Sequence, residues 1–400
     1  MTVLNRKSTM SYDFDTVIDR RNSGSVKWDL AEARLGYRGI IPMWVADMDF
    51  RAPEPVIQAL RKVADHGIYG YAARMPSYYE AFINWMKRRY KWEVKREWVE
   101  STPGVVPAVN LAVKAFARPG DEVIVQTPVY YPFFSAITGN GRIILDNPLR
   151  LENGRYVMDL VDLKRKLGPR TRLILLCSPH NPGGRVWTKA ELTALGELCI
   201  KHGIIVVSDE IHSDIVYQGF THTVFATISP EFAHNSVICT GVSKTFNLAG
   251  LTVSNIVIPN PDIRKRFHNE VIGCGLALSN IFGIAAAEAA YRYGEMWLEA
   301  LLEYLEGNLV YLTNYVESKI PGIKVMRPQG TYLVWLDCRS LPINGERAKN
   351  FMLAEAKVGL EEGTIFGAKE IGFWRMNFAC PRSVLKEALE RIEKAVKRLA

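Results

Sequence analysis

The chain has 400 residues, of which 48% are hydrophobic and 23% charged, and Lys and Arg outnumber Asp and Glu by 50 to 42, a formal charge of +8. That length suits two or three domains with a sizeable core, and the composition excludes a disordered, collagenous or coiled-coil chain. Basic residues are interleaved with acidic ones instead of gathered into a tail or stripe, so the charge favours solubility and names no partner.

Residues 1–10 are polar, with Arg6 and Lys7 and no apolar run behind them, so no secretory leader is expected. Residues 53–66 are apolar at helical spacing and stop at Gly67, and Ser77 with Glu80 three residues on predicts a second helix opened by a capping box. The densest basic run, Lys87, Arg88, Arg89, Lys91, Lys95 and Arg96, reads as a solvated helix end and loop; one short run does not make a nucleic-acid surface. Short, nearly all-apolar runs at 122–126, 142–145, 173–176, 204–207, 237–239 and 253–258 have the character of strands buried on both faces. Among them, Thr188 and Glu191 repeat the capping-box pair before a helix carrying Leu192, Leu195, Leu198 and Cys199 on one face and ending at Gly203.

Residues 271–291 carry a single charge, Glu288, over a length that could cross a membrane. Gly273, Gly275, Ser279, Asn280 and Gly283 point instead to a loop and then a buried helix, so no membrane span is expected. A long helical stretch over 295–320 follows, then strands at 324–327, 331–337 and 372–378 and a final helix over 383–399. Alternating strands and helices through the first two-thirds predict an α/β fold with a mostly parallel sheet, and the later pattern predicts a smaller α+β domain. We divide the chain into a large domain, 49–290, and a small domain formed by 1–48 and 291–400. Six widely spaced cysteines, Cys177, Cys199, Cys239, Cys274, Cys338 and Cys380, show no Cys-x-x-Cys and no metal-ligand spacing with the seven histidines. Reduced thiols, a cytoplasmic protein and no metal site are expected.

In open α/β sheets ligands bind outside the carboxyl ends of the strands. Strand 173–176 runs into Cys177-Ser178-Pro179-His180-Asn181-Pro182-Gly183-Gly184, strand 204–207 into Ser208-Asp209-Glu210-Ile211-His212, and strand 237–239 into Thr240-Gly241-Val242-Ser243-Lys244. Three successive strands thus bring an amide, a carboxylate and a lysine to one rim. An acid and a lysine meeting in a pocket also describe a plain buried ion pair. Gly104, ahead of the apolar helical run 108–117, adds a helix N-terminus of the kind that binds phosphate.

The run Gly241-Val242-Ser243-Lys244-Thr245-Phe246-Asn247-Leu248-Ala249-Gly250 resembles the Schiff-base lysine motif of the class I/II aminotransferases, the fold type I enzymes of pyridoxal 5'-phosphate (PLP). The order and spacing of Asn181, Asp209 and Lys244 are similar to that superfamily's. Met43-Trp44-Val45-Ala46-Asp47-Met48-Asp49-Phe50, Thr127-Pro128-Val129-Tyr130-Tyr131, Ser208-Asp209-Glu210-Ile211-His212 and Ala379-Cys380-Pro381-Arg382 resemble the MalY/PatB-type carbon-sulfur β-lyases, the cystathionine β-lyases. The resemblance covers nearly the whole chain.

It implies PLP as cofactor, with Lys244 holding it and then acting as the base at the substrate Cα. Asp209 is expected at the pyridinium nitrogen, Asn181 at the 3'-oxygen, and Tyr130 stacked on the ring, a place a core tyrosine would mimic. Backbone N–H groups of Gly104, Val105 and Val106 and the hydroxyls of Thr240 and Ser243 are expected to hold the phosphate. Tyr71 corresponds to the tyrosine that reaches the phosphate of a neighbouring subunit, which implies a homodimer with shared sites; Tyr69 is a second candidate, placed on the substrate side. Arg375 is expected to grip the substrate α-carboxylate as a bidentate fork, with Asn181 and the backbone near Asp47 and Met48 forming the rest of the substrate pocket. Two departures from the aminotransferase pattern stand out. Thr252 replaces the phosphate-binding arginine eight residues after the lysine, and His212 stands where many class I aminotransferases have a tyrosine, either bonding the 3'-oxygen or lining the pocket.

The expected reaction is β-elimination from a cysteine S-conjugate, giving pyruvate, ammonia and a thiol. Transamination needs the same core residues and is the alternative. A regulatory protein binding a partner through this fold is a third, since fold does not fix function.

Overall fold

In the computed structural model, which describes residues 12–367 and 372–399, seven strands form one sheet. They are β1 (Val99–Thr102), β2 (Glu122–Val125), β3 (Ile143–Asp146), β4 (Thr171–Cys177), β5 (Ile205–Asp209), β6 (Ser236–Thr240) and β7 (Ser254–Val257). Their spatial order is β1-β7-β6-β5-β4-β2-β3; β7 runs antiparallel to both neighbours and the other pairs are parallel. Six of the seven coincide with the apolar runs of the sequence to within a few residues. The seventh, β1, has no such run: its Val-Glu-Ser-Thr lies at the sheet edge, mostly half-buried.

Successive strand side chains point to opposite faces, and both faces are covered. Val123, Val125, Leu173, Leu175, Val207 and Val237 join a core with the Val105–Phe116 helix, while Ile124, Ile174, Leu176, Val206 and Ile238 join the core on the other side with Leu192 and Leu195. Hence the near-continuous apolar runs.

Thr188 caps its helix, Lys189–Lys201, as a capping box: its Oγ1 accepts from the Glu191 N–H at 3.2 Å, and Glu191 Oε2 accepts from the Thr188 N–H at 2.8 Å. Ser77 does not cap. Pro76 occupies the first position of the Pro76–Tyr90 helix, where a missing N–H costs nothing, and Ser77 donates its hydroxyl to Glu288. The start of segment 271–291 is also helical and not a loop, since Val271 belongs to the Pro261–Gly273 helix; the Ile281–Tyr293 helix follows, with Ala286, Ala287 and Ala290 buried. Among the described residues no helix is long and apolar enough to cross a membrane. The leader question concerns residues 1–10, which lie outside the described residues.

Four further strands, β8 (Lys324–Met326), β9 (Leu333–Asp337), β10 (Glu361–Glu362) and β11 (Phe373–Asn377), make an antiparallel sheet in the order β8-β9-β11-β10. The helices Glu295–Lys319 and Arg382–Lys397 accompany this sheet. Ile41–Pro42 pairs in parallel with Val358–Gly359, which ties the N-terminal segment to this part of the chain. Two-residue β10 is too short to give a sequence pattern, yet its register places Glu361 directly opposite Arg375.

Candidate active site

The carboxyl ends of β4, β5 and β6 lie level, because Cys177 pairs with Asp209 and Asp209 with Cys239. The loops that follow therefore open onto one place, a cavity of about 220 Å³. Asn181, Asp209, His212, Ser243 and Lys244 line it from the strand ends, and Tyr130 lines it from the chain that follows β2. Gly104, Val105 and Val106 line it from the start of the Val105–Phe116 helix. Gly104 has φ +117°, a backbone conformation open to glycine, and the first N–H groups of the helix have no partner within it.

Lys244 is half-buried at the cavity wall, and its Nζ donates to the Ala46 carbonyl at 2.7 Å. Desolvation pulls its pKa down to about 8, with Arg375 adding to the effect and Asp47 and Asp209 opposing it. Asp209 is buried and accepts from the Ile211 N–H at 3.1 Å. Burial pushes its carboxyl up to about 7, against the pull of Lys244. The Asp-Glu-Ile-His run divides here: Asp209 and His212 reach the cavity, whereas Glu210 accepts from Ser208, the Phe225 N–H and His222 in the interior. His212 is buried, and its Nδ1 finds no hydrogen-bond partner among the described residues. Burial, reinforced by Lys244 and Arg375, holds the ring well below its ordinary pKa, so it is neutral.

Arg375 is also buried, and it donates to Asn181 Oδ1 at 3.0 Å, to the Trp44 carbonyl at 2.8 Å and to Glu361. Its Nε has no partner among the described residues. Tyr332, absent from the sequence reading, donates its hydroxyl to the Ala46 carbonyl at 3.0 Å beside His212, the two rings 5.7 Å apart. Glu361 was equally invisible; only the β10–β11 register reveals it. Cys177 is a third addition, on the cavity wall with its Sγ accepting from the Asn181 N–H at 3.3 Å.

Other expected residues lie elsewhere. The Asp47 carboxylate is bound by Arg20 at 2.8 Å, and it is the neighbouring Ala46 that lines the cavity. Tyr69 donates its hydroxyl to the Ala64 carbonyl and packs on Phe282, and Tyr71 is 97% exposed. Thr240 ends β6, buried but outside the cavity lining.

The family model for aminotransferase class I and II matches residues 39–392. This chain belongs to the class I and II aminotransferase family. Among its curated relatives, cystathionine β-lyase PatB of Bacillus subtilis is 44% identical over 385 residues, covering 96% of this chain and 100% of PatB. Among solved structures, cystalysin from Treponema denticola, which contains a pyridoxal 5'-phosphate cofactor, matches with a TM-score of 0.94 at 40% identity, covering 98% of this chain and 100% of that one. The PLP-bound C-S lyase from Staphylococcus hominis matches with a TM-score of 0.90 at 34% identity, covering 96% and 98%. Within this aminotransferase-family chain, Thr252 is exposed at the end of a tight turn with φ +46° and does not line the cavity. No charged fork therefore reaches the phosphate end from that position.

Proposed function

We propose that this protein is a PLP-dependent carbon-sulfur β-lyase that cleaves L-cystathionine or a related cysteine S-conjugate to pyruvate, ammonia and a thiol, homocysteine in the case of cystathionine. The observation that carries the reading is one cavity shared by Lys244, Asp209 and the Asn181–Arg375 pair, in a chain 44% identical to PatB over its full length.

The residues fit the cofactor. A carboxylate raised by burial lacks a close cation, and a protonated ring nitrogen would supply one to Asp209. Neutral His212 brings an unpartnered buried nitrogen, Tyr130 an aromatic face, and the Gly104-capped helix start a cradle for phosphate. Asn181, Ser243, Val105 and Val106 would complete the holding set. When bound, PLP supplies an electron sink that stabilises negative charge at the substrate Cα.

Arg375 holds the substrate α-carboxylate, steadied by Asn181 on one nitrogen and by Glu361 and the Trp44 carbonyl on another. Burial that lowers the pKa of Lys244 to about 8 suits its Nζ to take the Cα proton. As that proton leaves, the electron pair allows the Cβ–S bond to break and the thiolate departs; the remaining three-carbon unit takes up water and ends as pyruvate and ammonia. Mixing the PLP-loaded enzyme with L-cystathionine and no 2-oxo acid is expected to release pyruvate and free thiol in equal amounts, and Lys244→Ala to release neither. Turnover that begins only when a 2-oxo acid is added would replace this reading with an aminotransferase.

We also infer a homodimer in which Tyr71, with Tyr69 beside it, serves the partner subunit's cavity. Ile68, Tyr69, Tyr71 and Met75, all exposed in one segment between two helices, support it. Sedimentation of the wild type against Tyr71→Asp tests this. The six free cysteines support a cytoplasmic location, and the hydrogen bonds from Asn377 to residues 43–47 support grouping the N-terminal 48 residues with the small domain.

A further inference from the structure

Residues 43–50 cross from the small sheet to the cavity, and their main chain is held in an unusual way. Five consecutive carbonyls, 44 to 48, each accept a hydrogen bond from a side chain at least 20 residues away: Trp44 from Arg375, Val45 from Asn377, Ala46 from Lys244 and Tyr332, Asp47 from Asn377 and Lys27, and Met48 from Asn247 and Arg20. The Phe50 carbonyl accepts from Asn247 as well.

Two asparagines make four of these nine hydrogen bonds. Asn377 is two residues beyond Arg375 on β11, so both side chains leave the same face of the strand. Its amide donates to Val45 at 2.7 Å and Asp47 at 2.5 Å, its oxygen accepts from the Ala379 N–H at 2.8 Å, and its own N–H donates to the Met43 carbonyl at 2.8 Å. Asn247 stands three residues after Lys244. Its amide donates to Met48 and Phe50, each at 2.9 Å, and its oxygen accepts from the Met48 N–H at 2.9 Å. It sits at φ +59°, which asparagine tolerates better than most residues. One segment thus registers the lysine-bearing turn against the arginine-bearing strand.

We propose that Asn247 and Asn377 are positioning residues for this site: through segment 43–50, Asn377 sets the place of Arg375 and Asn247 sets the place of Lys244. The proposal rests on the roles given above to Lys244 and Arg375. It predicts a split that a merely structural role would not give, because one asparagine serves the group that binds the α-carboxylate and the other the group that takes the Cα proton.

The test uses the PLP-loaded enzyme with Asn377→Asp and Asn247→Asp, which keep the side chain's size but turn a donating NH2 toward-carbonyl contact into an oxygen facing oxygens. Asn377→Ala and Asn247→Ala accompany them and carry the same expectation if an Asp variant does not fold. Pyruvate release gives kcat and KM; L-alanine, which has no leaving group, gives a Kd from the cofactor absorbance without turnover. At Asn377, KM and the L-alanine Kd are expected to rise about tenfold or more with kcat within about threefold, the signature of lost binding shared by ground and transition states. At Asn247, kcat is expected to fall about tenfold or more, with the L-alanine Kd within about threefold and a moved pH dependence of the absorbance. Equal changes in kcat and KM at both positions that track a fall in Tm, or no change at either, overturn the proposal. Because L-alanine binding needs no elimination, an enzyme that proved to be no lyase would still report on Asn377.

Discussion

Two lysines meet adjacent carbonyls of the same short segment, Lys27 at Asp47 and Lys244 at Ala46, and their surroundings differ in kind. Lys27 is 1% exposed, donates to Asp49 at 2.7 Å, and shares that carboxylate with Arg20 and the Trp28 indole. Lys244 lies at a cavity wall, donates to a carbonyl, and among the described residues has no carboxylate within ion-pair distance. The acids show the same contrast. Burial raises both, but the charge of Lys27 and the hydrogen bonds of Lys27, Trp28 and Arg20 more than offset it at Asp49, whose pKa stays below the ordinary range. Asp209 receives one backbone hydrogen bond and a distant lysine, and rises to about 7. Burial makes a charged group costly in both places; the partners decide whether it becomes a fastener or a reagent.

The contrast breaks most sharply at the lysines. Lys244→Ala is expected to lower pyruvate release by about 10³-fold or more, since it removes the proton acceptor, with little change in unfolding. Lys27→Met is expected to do the reverse. It leaves Asp49 buried with half its cations, a loss of about 3–5 kcal/mol in urea unfolding, while the cofactor absorbance of the folded fraction is retained.

Titration sharpens the comparison at the acids. Asp209 is raised in the folded chain from 3.8 to about 7, so in the cofactor-free protein its contribution to stability is full below about pH 4 and is lost as pH rises through 7. Lys244 is lowered from 10.5 to about 8, so its contribution is full above about 10.5 and lost as pH falls through 8. Asp49 contributes at neutral pH and loses its effect in acid, as pH falls through its depressed value. The fall in unfolding midpoint that Asp209 contributes between pH 4 and 7 should therefore be absent in Asp209→Asn. The smallest effect belongs to an exposed pair: Lys87→Ala removes the contact to Glu93 at 2.7 Å and should leave both unfolding and pyruvate release where they were.

Much of the site was legible because it is local in the chain. Asn181, Asp209 and Lys244 each follow closely on an apolar run, and a parallel sheet buried on both faces brings such strand ends to one rim. Gly104 was legible for a similar reason, as the residue before a helix. A pattern of two residues misled. Ser77 has a capping partner three residues on, but Pro76 begins the helix first. The expectation at Asp47 concerns the backbone there: its carboxylate turns to Arg20, and the adjoining Ala46 carbonyl accepts from Lys244.

The sequence by itself determined the local elements, the α/β class and the strand-end residues, since periodicity and punctuation act over a few turns of chain. Only the tertiary structure decided that Glu361 stands opposite Arg375, that Tyr332 meets Lys244 on one carbonyl, and that two asparagines hold segment 43–50. Those contacts join residues 14 to 332 apart in the chain, and half of each is a backbone group or a strand register that no residue type announces.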